Sequence, residues 1–357
     1  MAQEKVLMKG NEAMAEAAMR AGCRFFFGYP ITPQTEVAAY FSKRMPKIGG
    51  TYLQAESEVA AINMVYGAAS AGARAMTSSS SPGVSLKAEG VSYLAGSDLP
   101  AVIVNVQRGG PGLGGIQPSQ SDYWQATRAM GHGDFQVLVF APSTVQEMAD
   151  LVVLAFDKAD EYRMPAMILS DGMLGQMMEP VVLPEQRDLS DLPAKPWATV
   201  GHKNSREHNI VNSLYLTAED LEDLNIARFA RYEQVKANEQ RAERFMCDDA
   251  EIVLVSFGAS ARIAHTAVVR AREEGIKAGL IRPISLWPFP TDAIEQALST
   301  AKAFLSVEMN MGQMVDDVRL AVAGRVPVEF FGRTGGVIPT PDEVLAQIRE
   351  LAGKAGE

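Results

Sequence analysis

Cysteine is almost absent from this chain. Cys23 and Cys247 are the only two, they lie far apart, and they form no CxxC pair. The chain alone therefore cannot hold an iron–sulfur cluster, which takes about four thiolates. Such sparse cysteine usage fits a reducing cytoplasm. The first ten residues lack the apolar core of a signal peptide. No uninterrupted apolar run approaches the ~20 residues of a membrane span. The expectation is a cytoplasmic protein with no membrane span. Excess positive charge is missing too: the formal net charge is −10, which gives nucleic-acid binding no electrostatic support. There is no P-loop, no HExxH and no metal-spaced His/Cys cluster, so no metal ligand is assigned in this chain. His202 and His208 lie in a polar stretch and read as solvated.

What is present is an ordinary globular mix. Hydrophobic residues make up 47% and charged residues 21% of 357 residues, which excludes a largely disordered chain and suggests two or three domains. Short apolar runs alternate with helical patterns up to residue 170. Strands are expected at 24–27, 52–55, 74–77, 101–106, 137–140 and 166–170. Helices are expected at 11–21, 57–71, 84–95, 119–128 and 144–160. Thr32-Pro33 reads as an N-cap and first-turn proline opening a further helix to Arg44. Such alternation means βαβ units and a mostly parallel sheet.

The pattern breaks between Met173 and Asp249, where a proline-rich, polar stretch is followed by a charged helical run over 218–244. Alternation resumes at Ile252 and predicts a second, smaller α/β domain ending with a strand at 326–330. The domain expectation is 1–180, 181–249 as a linker and helical excursion, and 250–357.

Three stretches sit where a strand-like run gives way to a turn and then a helix. They are Gly28-Tyr29-Pro30-Ile31-Thr32-Pro33, Gln54-Ala55-Glu56-Ser57-Glu58 and Gln107-Arg108-Gly109-Gly110. In an open α/β sheet, ligands bind in the crevice outside the carboxyl ends of the strands. One loop offers a hydroxyl, one a carboxylate and one a guanidinium.

Glu58 opens a helix of small apolar residues. It either complements that helix's dipole or, desolvated there, shares a proton with a ligand nitrogen. Arg108 makes either an interface salt bridge or a fork for a substrate carboxylate. The run from Gly110 to Gly115 satisfies GxGxxG, but Pro111 and Pro118 delay the helix that a dinucleotide site needs. A loop built for close approach is the better reading. Ser170-Asp171-Gly172 is similar to the start of the pyrophosphate motif of thiamine enzymes, but no asparagine follows at the required distance. It reads as a strand-ending turn.

Taken together, Gly28–Pro33 (GYPITP), Ala55–Ala61 (AESEVAA), Thr77–Gly83 (TSSSSPG) and Arg108–Gly115 (RGGPGLGG) resemble the α subunit of the 2-oxoacid:ferredoxin oxidoreductases. Ser119–Asp122 and Leu286-Trp287-Pro288-Phe289-Pro290 also fit. The loop RGGPGLGGIQPSQSD is closest to the branched-chain 2-ketoisovalerate (3-methyl-2-oxobutanoate) members, with 2-oxoglutarate and pyruvate as alternative substrates.

The resemblance implies an α/β chain with a thiamine-diphosphate pyrimidine domain on a parallel sheet, followed by a smaller domain like the transketolase C-terminal one. It implies that thiamine diphosphate is shared with a β subunit that carries the pyrophosphate domain, Mg²⁺ and a [4Fe–4S] cluster. A γ subunit and a ferredoxin-like δ subunit complete the complex, a dimer of heteromers inactive in parts and typical of anaerobic metabolism. By position, Glu58 would hydrogen-bond the aminopyrimidine N1′ as its acid–base partner. Tyr29, Pro30 and Ile31 would line the cofactor. Thr32 would face the substrate from a helix N-terminus, and Arg108 would hold the 2-oxo acid's carboxylate. Coenzyme A would take the acyl group, and ferredoxin the electrons. The competing readings are the β component of a lipoamide-linked dehydrogenase or a transketolase-like half, and a non-catalytic scaffold on the same fold.

Overall fold

A computed structural model describes residues 4–128 and 130–355. The first part of the chain runs β1 (Val6–Lys9), α1 (Gly10–Arg20), β2 (Phe25–Gly28), α2 (Thr35–Arg44), β3 (Thr51–Gln54) and α3 (Glu58–Ser70). It continues through β4 (Ala75–Ser79), α4 (Ser81–Gly96), β5 (Ala101–Gln107), α5 (Tyr123–Thr127), β6 (Leu138–Phe140), α6 (Val145–Tyr162), β7 (Pro165–Asp171) and α7 (Gly172–Gln176). A seven-stranded sheet in the order β12-β6-β7-β5-β4-β2-β3 forms the centre, all parallel except β12 (Ser285–Trp287).

Both faces of this sheet are covered, which is why β5 and β7 are buried at every position. Val102, Val104 and Val106 of β5 enter one core with α1, α2 and α6. Ala101 and Ile103 enter the other, with α3 and α4. The period-two alternation thus splits a single strand between two cores. Each fully buried Val or Ile contributes about 1.5–3 kcal/mol.

The strand order also fixes where a crevice opens. The chain goes from β2 outward to β3, then returns across β2 to β4 and proceeds the other way to β5. The switch lies between β2 and β4, with α2 in one core and α4 in the other. The carboxyl ends of β2 and β4 therefore border the ligand crevice of the sheet.

The remainder runs β8 (Met178–Val181), α8 (Ala218–Asn238), β9 (Ala242–Phe245), β10 (Ile252–Val255), α9 (Gly258–Glu273) and β11 (Ala278–Pro283). After β12 come α10 (Thr291–Ala297), β13 (Ala303–Glu308), α11 (Met314–Val322), β14 (Val328–Gly332) and α12 (Pro341–Ala355). A five-stranded sheet has the order β14-β13-β10-β11-β9, with only β9 antiparallel. The charged run read as helical to Arg244 ends as a helix at Asn238, and its last residues form the edge strand β9. The two sheets are laced together, because β12 leaves the second half to pair with β6. Gln120 adds to this link: its Nε2 donates to Phe257 O at 2.6 Å and its Oε1 accepts from Ser260 Oγ at 2.8 Å. No helix among the described residues is long and apolar enough to cross a membrane.

Candidate active site

The loop after β2 is a tight turn rather than a helix start. Gln34 N donates to Ile31 O at 3.1 Å, and the buried Gln34 side chain reaches back to Tyr29 O. Ser78 Oγ on β4 donates to Gln34 Oε1 at 2.5 Å. The helix α2 begins at Thr35 with Gln34 at its N-cap position, so Thr32 is not the cap expected from the Thr-Pro pair. The turn spends that segment's backbone on its own closure. Tyr29, Pro30 and Thr32 are exposed and Ile31 is half-buried, all above the end of β2.

Glu58 is the first residue of α3, whose cap is Ser57; the Ser57 hydroxyl accepts from Ala60 N at 3.1 Å. Glu58 is only 6% exposed, whereas Glu56 is exposed. Its carboxylate lies against the first turn of α4. A Cβ added to Gly83 would sit 2.6 Å from Glu58 Oε1 and 2.1 Å from Ser79 Oγ. A side chain at this position would displace both groups. The position at two helix N-termini favours a negative charge. The buried cation on the facing stripe of α4, Lys87, donates to Thr77 Oγ1 at 2.8 Å and makes no hydrogen bond to Glu58 among the described residues. Ser79 Oγ and Ser80 Oγ are buried and have no partner.

Arg108 ends the sheet's central strand and reaches across the crevice. Its Nη1 donates to Thr32 O at 3.0 Å and its Nη2 to Leu113 O at 3.2 Å, while Nε is buried without a partner. The Arg108 backbone is pinned from below. Its N–H donates to Ser81 Oγ at 3.1 Å, and Ser81 Oγ donates to Asp122 Oδ2 at 2.5 Å. Asn105 Nδ2 also donates to Asp122, at 2.9 Å. Burial pushes the Asp122 carboxyl up, opposed by the bonds from Ser81 and Asn105 and by the Arg108 charge. Within the loop, Gly114 is required by space: it has φ +54°, and a Cβ there would sit 1.8 Å from Gly109 O.

The three sequence-chosen residues are thus brought together around one helix start. Arg108 touches Thr32 directly and Ser81 through its backbone, and Glu58 packs on Gly83 two residues further along α4. Sequence reading assigned no role to Lys87, Gln34 or the hydroxyl run Thr77–Ser81. Lys87 left a signal, because it falls on the inward stripe Val84, Lys87, Val91, Leu94 of α4, where a charge is out of place. Asp171, read as a strand-ending turn, ends β7 and caps α7 by accepting from Met173 N at 2.8 Å and Leu174 N at 3.1 Å. Among the described residues no group of three or more His, Cys, Asp or Glu is placed to hold a metal ion.

Residues 16–244 match the family model described as pyruvate flavodoxin/ferredoxin oxidoreductase, thiamine-diphosphate-binding, and residues 250–344 match pyruvate:ferredoxin oxidoreductase core domain II. The ketoisovalerate oxidoreductase subunit VorB of Methanothermobacter thermautotrophicus is 49% identical over 98% of this chain and 99% of its own length. The 2-oxoglutarate synthase subunit KorA of Methanothermobacter marburgensis is 37% identical over 97% and 98%.

Among solved structures, the 2-oxoglutarate:ferredoxin oxidoreductase of Magnetococcus marinus, with 2-oxoglutarate, coenzyme A and succinyl-CoA bound, aligns with a TM-score of 0.85 and 26% identity. That match covers 98% of this chain and 66% of the other. A split-gene transketolase aligns with a TM-score of 0.59 at 14% identity, over 97% and 98%, and shares the fold alone. The expected α/β architecture agrees with these neighbours. By its two matching models and its near full-length relatives, the chain belongs to the 2-oxoacid:ferredoxin oxidoreductase family.

Proposed function

We propose that this chain is the pyrimidine-binding half of a multisubunit 2-oxoacid:ferredoxin oxidoreductase that converts a branched-chain 2-oxo acid, 2-ketoisovalerate first among them, to its acyl-CoA and CO₂. The observation that carries the proposal is Glu58, a buried carboxylate with a cation and unpartnered hydroxyls around it and, among the described residues, no ion pair of its own. The residues fit thiamine diphosphate. An acceptor is buried where a ring nitrogen needs one, Gly83 leaves the room that a Cβ would fill, and Ser79 and Ser80 offer unused polar atoms.

When bound, thiamine diphosphate supplies the carbon nucleophile for the oxo carbon and the electron sink for loss of CO₂. Glu58 holds a proton against the pyrimidine N1′ and takes it back, in a site where burial makes that exchange effective. Arg108 offers its free Nε–H to the substrate carboxylate, a charge-assisted bond of fixed geometry. The bonds to Thr32 O and Leu113 O keep the guanidinium from swinging into solvent. Thr32 stands exposed beside it and faces the substrate oxygen. Tyr29, Pro30 and Ile31 line the cofactor side.

Tyr29, Val59, Leu113 and Ile116 are apolar and exposed on the loops and helix that frame the crevice. Such a patch supports a covering partner: a β subunit with the pyrophosphate domain, Mg²⁺ and a [4Fe–4S] cluster. With γ and ferredoxin-like δ subunits it forms a dimer of heteromers that passes electrons to ferredoxin. The higher identity to the ketoisovalerate relative than to the 2-oxoglutarate one supports the branched-chain substrate. Coenzyme A in the Magnetococcus marinus structure supports it as acyl acceptor.

The test is reduction of a low-potential viologen dye by the co-expressed complex, supplied with thiamine diphosphate, Mg²⁺ and coenzyme A. 2-Ketoisovalerate, 2-oxoglutarate, pyruvate and indolepyruvate are offered in parallel. Fastest reduction with 2-ketoisovalerate, and none by this chain alone, is the expected result. Turnover with lipoamide or NAD instead of the dye overturns the proposal.

A further inference from the structure

Lys87 has no part in the chemistry above, yet its ammonium is fully buried. Among the described residues, the one hydrogen bond it makes is to a neutral hydroxyl, Thr77 Oγ1 at 2.8 Å. Taking an ammonium out of water is costly unless an opposite charge compensates it. Gly83, Lys87 and Gly90 fall at i, i+4 and i+7, one face of α4. Gly83 meets Glu58 on α3, and a Cβ at Gly90 would lie 2.5 Å from Ile62 Cγ2, also on α3. Lys87 therefore projects from the α3-facing stripe between those two contacts.

The surrounding elements contain few other charges. α3 carries only Glu58; β2, β4 and β5 carry none; α4 adds only Glu89, which is exposed and bonded to the Tyr93 hydroxyl. Burial lowers the Lys87 ammonium to about 8, and Glu58 is the charge that pulls it back up. The other buried charges near α4 are Asp122 and Arg108, tied to Ser81 at its first turn, and Asp171 at the end of β7; Glu58 is the one carried on the helix that Lys87 faces.

We propose that Lys87 is a positioning residue for Glu58: it supplies, from beneath the pyrimidine pocket, the countercharge that holds the Glu58 carboxylate between α3 and the first turn of α4. The inference rests on the reading of Glu58 as the partner of the cofactor ring. It extends that reading, because the proton on the ring nitrogen is then governed by a charge that never touches cofactor or substrate.

Two experiments decide it. In the full-length chain without cofactor, urea midpoints are measured for Glu58→Gln, Lys87→Met and the double variant. Losses that do not add, with the double variant more stable than the sum of the singles, are expected; strict additivity overturns the pairing. In the assembled complex, exchange of the C2 proton of bound thiamine diphosphate for deuterium is followed against pH. Lys87→Met is expected to move the acid limb to higher pH by about tenfold in proton concentration. Thr77→Val, which keeps both charges and removes the acceptor, moves it in the same direction and by less. Profiles that superimpose on wild type overturn the proposal. Exchange at the wild-type rate in Glu58→Gln overturns the reading of Glu58 itself, and the urea cycle then judges the pairing independently.

Discussion

The guanidinium of Arg108 is hydrogen-bonded to the main-chain oxygen of Thr32, Nη1 to O at 3.0 Å. Two loops that are 76 residues apart in sequence are thereby joined, at the place proposed above for the carboxylate of the 2-oxo acid. A lysine lacks the fork needed to hold Thr32 O and Leu113 O together and still donate to a ligand. Arg108→Lys is expected to raise the KM for the oxo acid by about 10–100-fold, the worth of one charged hydrogen bond, with a smaller effect on kcat. Steady-state kinetics of the complex measures the split.

Gly83 gives a test in which stability and function part company. A methyl there collides with Glu58 Oε1 and Ser79 Oγ, while alanine is about 1 kcal/mol better than glycine as a helix former. Gly83→Ala is expected to leave the unfolding free energy of the chain, measured in urea, within about 1 kcal/mol of wild type. It is also expected to weaken thiamine diphosphate binding by the complex about tenfold or more, read by quenching of tryptophan fluorescence.

Asp171 links pH to stability. Its carboxyl is fully buried and pushed up to about 6 by desolvation, against backbone bonds from Leu174, Met173 and Ala259. The folded value lies above the ordinary 3.8, so the unfolded chain gives up the proton first as pH rises. The contribution of this group is full below the ordinary value and declines as pH rises to about 6. Asp171→Asn keeps a cap and removes the titration. The stability of wild type relative to this variant should fall between pH ~4 and ~7 by up to about 3 kcal/mol. Urea unfolding at the two values checks the sign.

Much of this architecture is legible in the sequence because it rests on short-range patterns. The buried strands β5 and β7 carry apolar runs of the right length, and Gly22, with φ +94°, closes α1 as its position suggests. What escapes is non-local or carried by a single side chain. β1 and β8 are four residues each, and their pairing across the chain has no local signature. β9 hides in a charged run because it is an edge strand with two charged, exposed residues. The C-terminal helix α12 is absent from the elements expected, although its Thr340–Glu343 capping box is written in the sequence and forms reciprocally. Lys87 and Gln34 follow the same rule, since their roles depend on neighbours from other strands.

The direct test of the half-site is proton exchange at C2 of thiamine diphosphate bound to the assembled complex, compared between wild-type and Glu58→Gln chains. If Glu58 is the acid–base partner of the pyrimidine, exchange in the variant slows by about 100-fold or more, with the cofactor still bound. Exchange at the wild-type rate in a loaded Glu58→Gln complex would contradict that assignment.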